Sequence, residues 1–308
     1  MDQQNSLHVG LIGYGEVGSI FAVALRGAGA TVSAYDRKFN DPARGPEAVD
    51  ACNAASVRAL GSMDDLLPGM ALVISAVTAS STLAVAEQAA RGIAPGTFYL
   101  DVNSASPETR RRCAQLIAAA GGRYIESAVM TSVPPYGIKV PMLLGGEHAG
   151  PATELLASLG FDAKIASAEI GVASAIKMCR SVMIKGMEAM VIESLVSARK
   201  FGVEEHVLAS LAETFPGIDW PRQASYFFSR VVQHGKRRAE EMRESARTVA
   251  EAGLDPWMPH ATANRQEWVA QQSAAGAFGG CGKNESWQVY ADRMLAVMAA
   301  PAPDSPRK

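Results

Sequence analysis

The chain has 308 residues, 48 % of them apolar, and a formal net charge of −2 from 29 basic and 31 acidic side chains. That length holds two ordinary domains, each able to bury a real core. The near-zero charge, with no dense basic stripe, excludes nucleic acid and an anionic membrane as principal partners.

Residues 7–12 read as an apolar strand, followed by Gly13-Tyr14-Gly15-Glu16-Val17-Gly18, an apolar helix-like run, and a second strand that ends at Asp36. This grammar predicts a dinucleotide site. Gly13 permits a sharp turn out of the strand, Gly15 lets the backbone approach a pyrophosphate, and Gly18 allows close packing of helix on strand. The unpaired N–H groups and positive dipole end of the helix favour an anion there. Asp36 is placed to accept from both ribose hydroxyls and, by repelling a 2′-phosphate, puts NAD ahead of NADP. Arg37 and Lys38 keep NADP open, since they can clamp a 2′-phosphate if Asp36 turns aside.

Up to residue 166 the pattern alternates short apolar runs with amphipathic stretches, which predicts an α/β domain with a doubly wound, Rossmann-type sheet. Further strands are expected at 71–77, 97–101, 123–127, 141–145 and 163–166. Val77-Thr78 and Thr82 come at and after the end of the strand at 71–77 and are expected to lie across the cofactor, with an ordinary helix cap as the simpler reading. A helix from 106 to 120 is marked by a serine cap, Pro107 in its first turn and Gly121-Gly122 behind it. After residue 166 the strand-like runs stop. A proline-free stretch at 167–201 predicts a long helix that leads into an all-helical domain, 167–308, with further helices at 204–214, 221–234, 237–252 and 286–299. A glycine-rich loop is expected at 273–283 and a frayed tail at 301–308.

Lys177, early in the long helix, is the leading catalytic candidate. A lysine there lies near the carboxyl ends of the strands, and partial burial would lower its pKa enough to exchange a proton with a substrate hydroxyl. On position alone, a surface lysine is as good a reading. The aromatic residues Trp220, Tyr226, Phe227 and Phe228 read as helix packing ahead of an aryl pocket, and His234 as a helix-end cap.

These segments together resemble the β-hydroxyacid dehydrogenases, relatives of 6-phosphogluconate and 3-hydroxyisobutyrate dehydrogenases. Four segments carry the resemblance: Gly10 to Gly18; Asp101-Val-Asn103-Ser104-Ala-Ser-Pro107, similar to D-x-S-T-x-x-P; Glu126-Ser-Ala-Val129, similar to D-A-P-V; and Gly171 to Lys177, similar to G-x-x-x-x-x-K. The later part, with 217–221 and 246–256, is similar to a less characterised branch whose helical domain is 6-phosphogluconate dehydrogenase-like. The resemblance implies hydride transfer between a 3-hydroxy acid and a nicotinamide, with Lys177 as general acid and base. It also implies a substrate carboxylate held by Asn103, Ser104 and the turn after Val129. If the product is a β-keto acid, loss of carbon dioxide can follow.

Two departures stand out. Met130-Thr131-Ser132 replace the family's glycine pair, which puts side chains on a substrate-facing turn, and Ser181 stands where the family has an asparagine. The shorter serine calls for a bridging water or for help from Lys185 or Arg180. The family's later lysine has no clear match, and Arg237 or Arg238 is the substitute expected to grip a carboxylate or phosphate. An imine or ketone reductase, and a nucleotide-binding regulator without catalysis, are the competing readings.

Cys52, Cys113, Cys179 and Cys281 lack CxxC or histidine spacing, so neither a metal site nor a disulfide framework is expected. The polar start, Met1 to Ser6, and the lack of a membrane-length apolar run fit a cytoplasmic protein. The apolar helix from residue 168 is expected to be covered in a homodimer.

Overall fold

The computed structural model describes residues 7–282 and 284–299. The chain divides into two compact units, one running to Cys179 and the other starting from Arg180. The division falls inside the long helix Val172–Phe201.

The first unit opens with β1 (His8–Ile12), α1 (Glu16–Gly27), β2 (Thr31–Tyr35), α2 (Gly45–Ala54), β3 (Arg58–Leu60), α3 (Met63–Leu66), β4 (Leu72–Ser75) and α4 (Thr82–Ala89). It continues through β5 (Phe98–Asp101), α5 (Pro107–Ala119), β6 (Arg123–Val129), β7 (Met142–Gly145), α6 (Ala149–Ser158) and β8 (Ala163–Ser167) to the start of α7 (Val172–Phe201). The strands form one sheet in the order β3-β2-β1-β4-β5-β6-β7-β8. All neighbours are parallel except β6 and β7, which pair antiparallel with Val129 opposite Met142. The order reverses between β1 and β4, so their carboxyl ends flank a crevice, the position where open α/β sheets bind ligands.

Strand alternation feeds two cores, one on each face of the sheet. Val9, Leu11, Leu72, Ile74, Leu100 and Ile125 pack with Phe21 and Leu25 of α1 on one side. Ile12, Val73, Tyr99 and Tyr124 pack with Leu66, Ala86, Cys113 and Ile117 on the other. Burial on both faces explains why these strands read as near-continuous apolar runs. Helix α5 begins as its sequence dictates: the Ser106 hydroxyl accepts from the Thr109 N–H at 3.3 Å, with Pro107 opening the helix. Strand β3 is three residues long and only partly covered, so it carries no strand signature.

The second unit comprises the remainder of α7 and α8 (Glu204–Thr214), α9 (Trp220–Glu251), α10 (Trp257–Ala274) and α11 (Trp287–Ala299). Leu195, Phe228, Val231, Val269, Trp287 and Tyr290 form its core. Two expectations are corrected. The separate helices at 221–234 and 237–252 are one helix, α9, because Gly235 is a contact point and not a break. A Cβ there would stand 2.7 Å from the Gln266 carbonyl oxygen and 3.2 Å from Ala270 Cβ. Helix α10 has no counterpart among the expected helices, and its last two residues occupy the start of the stretch expected as a loop at 273–283. Lys283 and the tail at 301–308 lie outside the described residues. Among the described residues no helix is long and apolar enough to cross a membrane.

Candidate functional site

The turn after β1 is shaped by contacts that leave no room for side chains at two of its three glycines. Gly13 has φ +96°, and a Cβ there would lie 2.3 Å from the Ala76 carbonyl oxygen. At Gly18 a Cβ would lie 2.1 Å from the Gly13 carbonyl oxygen. Gly15 differs, because a Cβ there would meet no atom within 4 Å. Nothing in the protein's own packing requires glycine at that position. Gly15 is also the N-cap of α1 and brings no side chain to its orphan N–H groups. An exposed glycine and an uncapped twelve-residue helix fit the pyrophosphate of a dinucleotide. Glu16 is exposed and Val17 half-buried in the same first turn.

Asp36 is held by the protein at the end of β2. Its Oδ2 accepts from the Tyr14 N–H at 2.7 Å and its Oδ1 from the Lys38 N–H at 2.9 Å. The Lys38 ammonium donates to the Tyr14 carbonyl, 4.0 Å from Asp36 Oδ2, and lies 5.8 Å from the centroid of the Tyr14 ring. Burial of Tyr14, with Cys52 beside its hydroxyl, pushes the phenol up to about 12. Arg37 is exposed.

The carboxyl ends of β4 and β5 are tied together by Asn103. Its Oδ1 accepts from the Val77 N–H at 2.6 Å and its Nδ2 donates to Ser75 Oγ at 3.0 Å. Asn103 is only 3 % exposed, so its amide fixes the crevice wall instead of reaching outward. Thr82 also points inward, fully buried, with its hydroxyl donating to the Thr78 carbonyl at 3.4 Å. Thr78 is exposed and shares hydrogen bonds with the hydroxyls of Ser80 and Ser81 at 3.3 and 3.1 Å.

Ser104 and Lys177 meet one residue beyond Asn103. The Lys177 ammonium donates to Ser104 Oγ at 2.7 Å, and the lysine is half-buried. Two buried charged residues that sequence reasoning did not assign hold this pair in place. Glu126, on β6 and fully buried, accepts from the Gly171 N–H at 2.6 Å and the Ser174 N–H at 2.5 Å, and so caps the helix that carries Lys177. Arg110, on α5, pairs with Asp101 at 2.6 Å and donates to the carbonyls of Asp101, Asn103 and Ser127. It thereby ties the turn before Ser104 to the strand that carries Glu126. A contact chain thus runs along the carboxyl edge of the sheet from Gly13 through Ala76, Val77 and Asn103 to Ser104 and Lys177.

After β6 the chain turns through Met130, whose N–H donates to the Pro141 carbonyl at 3.0 Å. Thr131 is exposed, while Met130 and Ser132 are half-buried. In the second unit, Ser181 lies four residues after Lys177 on α7 and is 6 % exposed. Lys185 pairs with Glu241. Burial lowers the Lys185 pKa, with the Glu241 charge opposing. Arg238 departs from the expected substrate grip, because its fork is spent on the buried carboxylate of Glu188, which Gln266 also approaches at 3.5 Å. Arg237 is more exposed, 3.9 Å from Glu241. Among the described residues no three His, Cys, Asp or Glu side chains group as metal ligands.

Residues 8–135 match the NAD binding domain of 6-phosphogluconate dehydrogenase, and residues 198–269 match a domain of unknown function, DUF1932. A conserved hypothetical protein from Sinorhizobium meliloti 1021 is 37 % identical, with 96 % of this chain and 97 % of that one covered and a TM-score of 0.73. A second solved protein, described as of unknown function but structurally similar to 3-hydroxyacid dehydrogenases, is 32 % identical over 88 % of this chain and 99 % of its own, with a TM-score of 0.66. The mitochondrial 3-hydroxyisobutyrate dehydrogenase of Drosophila melanogaster is 26 % identical over 227 residues, 71 % of this chain and 66 % of that protein.

Proposed function

Since the chain belongs to the β-hydroxyacid dehydrogenase family, with a DUF1932 domain toward its C-terminus, we propose that it oxidises a 3-hydroxy acid, or reduces the matching oxo acid, with a nicotinamide dinucleotide. Family and fold support NAD(P)-dependent hydroxyacid dehydrogenase-like or reductase activity. The finer reading rests on one observation, the 2.7 Å contact of Lys177 Nζ with Ser104 Oγ at the carboxyl edge of the sheet.

The bound nicotinamide supplies the hydride acceptor or donor. The chain's residues do the rest. The turn at Gly13 to Gly18 and the first turn of α1 hold the pyrophosphate by backbone N–H groups and helix dipole. Val77 and Thr78 line the crevice beside it. Ser104 and the Thr131 and Ser132 turn offer hydroxyls and backbone N–H groups to the substrate carboxylate. As the neutral amine, Lys177 takes the proton from the substrate hydroxyl while the hydride passes from the carbon to the nicotinamide, and as the ammonium it returns that proton in the reverse direction. The Ser104 hydroxyl aims the ammonium, and Glu126 fixes the helix turn from which it projects. Ser181, with its short side chain, occupies the family's asparagine position. A lysine suited to exchange a proton with an alcohol or ketone oxygen favours this reading over reduction of an imine.

The test is to incubate the purified chain with NAD, and separately with NADP, against short, phosphorylated and aryl 3-hydroxy acids while nicotinamide reduction is followed. Turnover with any member supports the reading. Dinucleotide binding with no turnover across the panel overturns it in favour of an imine or ketone reductase or a nucleotide-binding regulator.

A further inference from the structure

We propose that the end of β2 is a 2′-phosphate recognition site, built by Arg37 and Lys38, and that the chain therefore prefers NADP to NAD. The inference rests on the nicotinamide-dinucleotide reading above and narrows it to one cofactor. An acidic residue at the end of the second strand ordinarily selects NAD because an outward, uncompensated carboxylate repels the extra phosphate. Asp36 is neither outward nor uncompensated. Both of its oxygens accept backbone N–H groups, Oδ2 from Tyr14 at 2.7 Å and Oδ1 from Lys38 at 2.9 Å, so the carboxylate caps the turn Arg37–Asn40 and braces the glycine turn.

Lys38 supplies the counter-charge. Its ammonium is anchored on the Tyr14 carbonyl, 4.0 Å from Asp36 Oδ2, and packs against the buried Tyr14 ring. Tyr14, the residue between the first two glycines, therefore places a cation beside the carboxylate. Arg37 immediately follows Asp36, is exposed, and its guanidinium makes no hydrogen bond or ion pair among the described residues. A planar fork with nothing to grip, next to a neutralised carboxylate, suits two parallel hydrogen bonds to a phosphate. The nearby Arg44 is already tied to Asp41 at 2.7 Å and is not the expected ligand. One carboxylate against two cations leaves a local surplus of one positive charge where a dianionic phosphate would sit.

The experiment measures affinities of the full chain for NADPH and NADH, and for 2′,5′-ADP against 5′-ADP, by calorimetry, with Arg37→Ala and Lys38→Ala alongside. The expected result is a preference of about tenfold or more for each 2′-phosphorylated ligand in the unaltered chain. Arg37→Ala collapses that ratio. Lys38→Ala, which leaves Asp36 without its counter-charge, tips it toward NADH. Equal or tighter binding of NADH by the unaltered chain, or an unchanged ratio in Arg37→Ala, overturns the proposal while leaving the dehydrogenase reading standing. Failure to bind any of the four ligands overturns both.

Discussion

Arg110 pairs with Asp101 across 2.6 Å with each side chain only 1 % exposed. Burial by itself lowers the guanidinium's proton affinity, and the charges of Asp101 and Glu126, with a hydrogen bond to the Tyr124 hydroxyl, more than reverse it, so Arg110 stays charged. The Tyr124 hydroxyl donates to the second Asp101 oxygen at 2.9 Å, which completes a dry polar cluster beneath Ser104. Replacing Arg110 by leucine strands a buried carboxylate and three carbonyls, and the expected cost is about 3–5 kcal/mol by urea unfolding. Arg110→Lys keeps the charge without the fork, so it should recover part of that loss.

Glu126→Gln separates capping from charge. One of the two N–H groups now held by the carboxylate, at Gly171 or Ser174, would face a side-chain N–H group instead of an oxygen, at a cost of about 1–3 kcal/mol. Because those groups set the helix turn behind Lys177, turnover should fall while dinucleotide affinity is held. Equal losses in both would mean that Glu126 stabilises the fold without positioning the lysine.

Alkali should destabilise the first unit in a defined direction. Burial, followed by the Asp101 charge, raises the Tyr99 and Tyr124 phenols well above their ordinary value of 10.0. The unfolded chain releases these protons at ordinary phenol pKa while the native state retains them, so the native state binds more protons and stability falls as pH rises past 10. The slope approaches about 1.4 kcal/mol per pH unit for each phenol. Ultraviolet titration should show these tyrosines ionising only together with unfolding. Their ionisation in the folded protein near pH 10 would contradict this.

The thiols should sort by burial. Cys113 is pushed up to about 12 by burial and then by Asp101, and burial also raises Cys52 despite the opposing Tyr14 contact. Cys179 is exposed. At neutral pH an aromatic disulfide reagent should therefore modify Cys179 in the native protein and reach Cys52 and Cys113 only after denaturant is added.

Where local chemistry decides the backbone, the sequence is readable. The glycines after β1 and the Ser106-Pro107 start of α5 show this, because a turn or a cap needs particular residues at fixed spacing. Gly235 misleads by the same logic: its lack of a side chain serves contact with α10, not a break, and only the partner helix reveals that. Helix α10 is obscure because its buried positions, Pro259, Thr262, Ala263, Gln266 and Val269, have helical spacing but mixed polarity. In the site, Lys177 and Ser104 could be found from motif spacing. Arg110 could not, since a lone charged residue in sequence looks like surface until a distant segment supplies its partner, and Glu126, though inside a motif, shows its capping role only once Gly171 and Ser174 are folded against it. Asp36 shows the converse: its position is legible, but the Lys38 counter-charge depends on the fold of the glycine turn.

The central claim is that Lys177 moves the substrate proton. Lys177→Met should leave dinucleotide affinity within about twofold while turnover falls by about 10²–10⁴, measured on the best 3-hydroxy acid of the panel. A Lys177→Met chain that turns over as the unaltered one does would contradict the account.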